Sequence, residues 1–141
     1  MNLPMTDMPN FIKKEVDKLN ETISPFIKKV SKYSFWALPL IAFSIINLFF
    51  MLVAMPDTRS TVALIIYAVM GAFGFALSKE AKHQRKEILK VSEDFIIKRI
   101  NKSEIVAKLV KDRYIQKVKE QPAFAMNHFI KFLEEENRLM E

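Results

Sequence analysis

The side chains that could carry chemistry are few and scattered. The two histidines, His83 and His128, lie far apart in the chain. Neither stands in a His-Glu-x-x-His pattern or another spacing that would bring two imidazoles onto one metal. There is no cysteine, which removes thiolate nucleophiles, thiolate metal sites and disulfides together. The two glycines, Gly71 and Gly74, fall inside an apolar stretch, so no glycine-rich loop is available to cradle a nucleotide phosphate. The acidic run Glu134-Glu135-Glu136 reads as a solvated helix end rather than a cation site. No catalytic, cofactor-binding or metal-binding residue is expected, and the chain reads as a non-enzyme.

The remaining chemistry is that of positive charge. The net charge of +6 over 141 residues belongs to the flanks of the apolar stretch: Lys13, Lys14, Lys18, Lys28, Lys29 and Lys32 before it, and Lys79, Lys82, Arg85, Lys86 and Lys90 directly after it. Such a juxtamembrane cluster suits the anionic headgroups of an inner leaflet, each cation contributing about 1 kcal/mol. His83 belongs with this cluster, facing headgroups or water. Nucleic acid is not expected as a partner, because aromatic residues are not interleaved with the cations. The stretch Ile100-Asn101-Lys102-Ser103-Glu104-Ile105-Val106 is similar to the turn and second helix of ribbon-helix-helix DNA-binding proteins. The strand and glycine turn of that family do not precede it, and it reads instead as a helix start, with Asn101 as cap and Glu104 reaching back.

The elements that position these residues follow from hydropathy. Half the residues are hydrophobic while 27% are charged, and the two kinds are segregated. An uncharged run, Phe35 to Met55, and a second, Thr61 to Leu77, are each long enough as helices to span a hydrocarbon core of about 30 Å, the second barely so. The connection Pro56-Asp57-Thr58-Arg59 is short enough to force an antiparallel hairpin. The expected organisation is an amphipathic arm over residues 1–33, a transmembrane hairpin over 34–78 with spans 35–55 and 60–78 around a turn at 56–59, and a cytosolic helical region over 79–141. The basic flanks against a single Arg59 in the turn place both termini in the cytoplasm of a two-span cell-membrane protein. The first run begins too deep in the sequence and is too long for a cleaved signal.

Within the hairpin, Tyr33 and Trp36 stand where amphipathic rings anchor at the headgroup layer. Ala68, Ala72 and Ala76 recur every fourth residue beside Gly71 and Gly74, giving a small-residue face for close contact with span one or with another subunit. Asn47, in mid-span, should point at protein and hydrogen-bond across to a neighbouring helix. Outside the hairpin, Ile12, Val16, Leu19 and Ile23 form an apolar stripe at helical spacing, with a kink or break at Ser24-Pro25. Ile88, Val91 and Phe95 continue the pattern after the hairpin. A third helix carries Val106, Val110, Tyr114 and Val118 and ends before Pro122; a fourth carries Ala125, Phe129, Phe132 and Leu139. His128, beside that apolar stripe, reads as a boundary residue of the bundle.

An all-α membrane protein is therefore expected, with a two-helix hairpin, an amphipathic arm and cytosolic helices gathered into a small bundle. Its partners would be the bilayer, a second copy of itself or another protein, and its function that of a scaffold or adaptor on the cytosolic face. Two alternatives share the layout: a pore former, since the hairpin with basic tails resembles the two-span holins, and a hairpin that shapes the bilayer by wedging one leaflet.

Overall fold

The computed structural model describes residues 8–54 and 60–140. The connection at 56–59, with Asp57 and Arg59, lies outside the described residues, as does the segment 1–7. Helix α1 covers Asn10–Phe49 and ends in a π-helical turn, Phe50–Ala54. Helix α2 covers Thr61–Lys102, α3 Lys108–Glu120 and α4 Ala125–Met140, the last preceded by a short 3-10 turn at Pro122–Phe124. No strand is present among the described residues.

Helix α1 runs through Pro25 without interruption, where the proline alone predicts a kink or break. Proline removes one backbone donor and crowds one carbonyl, but Pro25 is exposed, and helical residues continue on both sides of it. The chain does divide at this position. One compact unit ends at Pro25 and resumes at Glu87, and the other is Phe26–Lys86. The division falls outside residues 34 and 78, where hydropathy changes, because the pairing of the two long helices continues beyond their apolar runs through Ser34, Ala81 and Arg85.

The first unit hides its large apolar side chains in one core. Ile12, Val16, Leu19 and Ile23 of α1, Ile96 and Ile100 of α2, Val118 of α3, and Phe129, Phe132 and Leu133 of α4 are buried in one cluster. Ile88, Val91 and Phe95 are half-buried against it. Aromatic rings lock the layers edge to face, Phe95 on Phe129 at 6.5 Å and Tyr114 on Phe132 at 5.5 Å, a geometry that adds about 0.5–1.5 kcal/mol beyond burial. Leu139, placed on the apolar face by its spacing, is 57% exposed, since α4 runs past the end of the cluster.

Helix α2 ends at Lys102, and Asn101 lies within it rather than capping a new helix. Helix α3 begins after Ala107, which makes no side-chain cap. The free carbonyls at the end of α2 are satisfied from elsewhere: Lys111 Nζ donates to the Ser103 carbonyl at 2.6 Å and to that of Asn101 at 3.4 Å. A cation at the negative end of a helix dipole does there what a local cap would do.

The second unit is an antiparallel pair formed by the later part of α1 and the earlier part of α2. Its buried residues are small: Ala37, Ser44, Gly71, Gly74 and Ala81. Its large side chains, among them Phe35, Phe43, Phe49, Phe73 and Phe75, are exposed.

Candidate functional site

Where the helices of the hairpin meet, α2 presents Tyr67, Gly71 and Gly74. The Ser44 hydroxyl donates to the Tyr67 carbonyl at 2.6 Å. A Cβ on Gly71 would lie 2.6 Å from Ser44 Oγ, and one on Gly74 would lie 3.2 Å from the Ile41 backbone nitrogen. A side chain at either position would have to displace atoms of α1, so the two glycines let the helices approach closely here. The alanines are not part of this face: Ala68, Ala72 and Ala76 are exposed. Each residue turns a helix by about 100°, so Ala72 is carried well away from the line of Gly71. Asn47 likewise departs from expectation. Its amide donates to the Phe43 carbonyl of its own helix at 2.8 Å, and Ser44 makes the interhelical bond instead.

At the ends of the apolar runs, Tyr33 is half-buried and Trp36 exposed. With Lys32, Leu40, Phe73 and Leu77 they line a cavity of about 220 Å³. Lys79, Lys82, Arg85, Lys86 and Lys90 are all exposed. Arg85 differs in direction: its Nη2 reaches Ser34 Oγ at 3.5 Å.

The first unit holds a cluster of charges that periodicity alone does not announce. Arg99 of α2 bonds Glu15 of α1 through Nε at 3.0 Å and Glu136 of α4 through Nη2 at 2.8 Å. The side chains of Arg99, Glu15 and Glu136 are only 17%, 12% and 3% exposed. Arg99 also lies over the Phe11 ring, 5.6 Å from its centroid, and Lys18 bonds Glu15 at 2.8 Å. Two carboxylates thus face two cations. Burial alone would raise the Glu15 carboxyl, but the Lys18 hydrogen bond and the Arg99 and Lys18 charges outweigh it and hold the group below its usual range. Glu136 is consequently not part of a solvated acidic end. The remaining acids of the triplet differ: Glu134 is exposed, and Glu135 accepts a hydrogen bond from the Tyr114 hydroxyl at 2.8 Å. Burial, with that bond and the Glu135 charge, pushes the Tyr114 phenol up to about 12.

An open cleft of about 530 Å³ adjoins the Arg99 cluster, lined also by Lys102, Ser103, Glu104, Ile105 and Met140. Both carboxylates of the cluster are committed to Arg99, so neither is placed as a free general base. Their arrangement ties the arm, α2 and α4 together. A signal in the sequence does exist: Glu15 lies between Ile12 and Leu19, Arg99 between Ile96 and Ile100, and Glu136 follows Leu133 by three residues. Each is a charge inside an apolar stripe. His128 is half-buried, its Nε2 lying 3.4 Å from Gln121 Oε1. Among the described residues no group of His, Asp and Glu converges as a metal site.

Comparison with known proteins places this arrangement in a family. The chain is 43% identical over 132 residues to the uncharacterized protein YwnF of Bacillus subtilis (strain 168), covering 93% of this chain and 91% of that one. No solved structure matches it. A family model described as a family of unknown function, DUF5392, matches residues 4–141, and the chain belongs to that family.

Proposed function

We propose that the chain is an integral membrane protein in which the hairpin is an anchor and the four-helix unit is a non-enzymatic adaptor at the cytosolic face, binding a partner protein or a second copy. The supporting observation is the burial of the two apolar runs. Both long helices contain a stretch apolar enough to cross a membrane, and only 11% of each such stretch is buried. The core helix of a water-soluble protein would be mostly buried. Here, leaving the large side chains in water would forfeit about 1.5–3 kcal/mol for each one, whereas lipid accepts them at no such cost and the helices satisfy their own backbone. The cations that follow Leu77 support a cytosolic position for both flanks.

The pore reading has less support. The two polar side chains in the middle of the first run, Ser44 and Asn47, both donate to backbone carbonyls of the protein, which leaves them poorly placed to line an aqueous path.

The cysteine-free sequence makes the topology simple to test. Ser60→Cys and Glu93→Cys, introduced singly, should differ in intact cells: an impermeant maleimide should label the first and reach the second only after permeabilisation. Labelling of Glu93→Cys in intact cells would overturn the orientation. Crosslinking and native mass spectrometry of the detergent-purified chain test the adaptor. A strict monomer with no co-purifying protein would remove that part of the reading.

A further inference from the structure

A groove between the two helices of the hairpin combines phosphate-binding groups with an apolar floor. It has a volume of about 170 Å³ and is lined by Ser34, Ala37, Leu38 and Ile41 of α1 and by Ser78 and Arg85 of α2. The two hydroxyls stand where the apolar runs end, Ser34 just before Phe35 and Ser78 just after Leu77. Leu38 and Ile41 continue the groove along the first run. No carboxylate lines it.

The direction of Arg85 follows from helix geometry. Side chains lean towards the N-terminus of their helix, and for α2 that is the direction of the apolar run. Arg85 therefore leans back into the groove and reaches Ser34 Oγ at 3.5 Å. Among the described residues it has no carboxylate partner, so its remaining donors are uncommitted. A planar guanidinium beside two hydroxyls matches a phosphate oxygen pair, and basic pockets between helices at the cytosolic interface suit anionic headgroups.

We infer that this groove is a binding site for one anionic phospholipid of the inner leaflet, its phosphate held by Arg85, Ser34 and Ser78 and an acyl chain lying along Leu38 and Ile41. The site rests on the membrane reading above. It gives Arg85 a role distinct from that of neighbouring cations, which a diffuse attraction would use equally.

The test is native mass spectrometry of the full chain released from nanodiscs containing equal parts phosphatidylglycerol and phosphatidylcholine. One phosphatidylglycerol should be retained in preference. Arg85→Gln should lower that retention about tenfold, the loss of one charge-assisted hydrogen-bonded pair, and Ser34→Ala with Ser78→Ala less. Lys86→Gln removes the same charge from a different face and should leave retention unchanged. Both positions are exposed, and circular dichroism should show the same helix content in each variant. Equal retention in the Arg85 variant, or an equal loss in the Lys86 variant, overturns the site. Displacement of the lipid by excess inorganic phosphate would assign the groove to a soluble phosphate and overturn it too. Release of the unmodified chain from membranes by alkaline carbonate would overturn the membrane reading as well; a carbonate-resistant chain indifferent to Arg85 overturns this site alone.

Discussion

In the unit completed by α4, the buried side chains are large, Phe129, Phe132 and Leu133, and the exposed face of each helix is charged. In the hairpin the order is reversed: alanine, serine and glycine are inside, and phenylalanine, leucine and tryptophan are outside. The same two helices contribute to both units. A helix buried against other helices in water gains by hiding its largest apolar groups. A helix that meets only one neighbour in an apolar surrounding gains most from close backbone approach. The sizes of the buried residues, rather than their number, therefore separate the two stretches, and under the membrane reading proposed above they follow the solvent of each.

The largest expected effects would break this contrast if they failed to appear. Phe132→Ala should lower the stability of the first unit by about 3–5 kcal/mol, whereas Phe73→Ala, an equal truncation on the exposed face of the hairpin, should change the melting of the detergent-solubilised chain by less than about 1 kcal/mol. Equal losses would mean that the phenylalanines of the hairpin are buried after all. Arg99→Met should destabilise by a comparable amount, about 3–5 kcal/mol, by leaving the buried Glu136 uncompensated and Glu15 with Lys18 alone. The triple variant that combines it with Glu15→Leu and Glu136→Leu should recover most of that loss, since no unpaired charge then remains. The Glu15 carboxyl is held below its usual range, so its share is present above the unfolded value and fades as the pH falls through the folded one. An acid titration of melting temperature should lose this slope in Glu15→Gln.

Gly74→Ala sharpens the contrast from the other side. A single methyl meeting the Ile41 backbone at 3.2 Å and its Cγ1 at 2.8 Å should push the helices apart and cost about 1–3 kcal/mol. Ala72→Val, on the exposed alanine stripe, should cost little. The smallest effect belongs to Tyr114→Phe, about 1 kcal/mol for the lost bond to Glu135. The raised phenol contributes fully below its unfolded pKa near 10 and loses its contribution as the pH rises towards about 12. An ultraviolet titration of the native chain against Tyr114→Phe should place the missing phenol near that upper value.

Much of the architecture is legible because it is written in periodicity. The stripe Ile12, Val16, Leu19, Ile23 needs only helical spacing to be seen, and two uncharged runs around Pro56 need only length. What escapes depends on partners distant in sequence. Alanine at every fourth position suggests the contact face of α2, but which side of a helix meets its neighbour is decided by the closest backbone approach, and that line runs through Gly71 and Gly74. Asn101 resembles a cap because the local pattern Asn-Lys-Ser-Glu is that of a helix start, whereas α2 continues through it to Lys102 and α3 begins only after Ala107. Pro25 resembles a break because the rule for proline weighs one helix in isolation. Glu136 resembles a solvated acid because two acids beside it suggest water, and nothing nearby announces Arg99.

The Arg99 cluster has a consequence for how this sequence can drift. Glu15 and Arg99 are separated by 84 positions and Arg99 and Glu136 by 37, yet loss of the arginine alone leaves Glu136 buried without its partner and Glu15 with only Lys18. The three codons are therefore heritable as a set. A lineage that lost the arginine would survive best by losing both acids with it, and a lineage that reversed one sign would have to reverse the others.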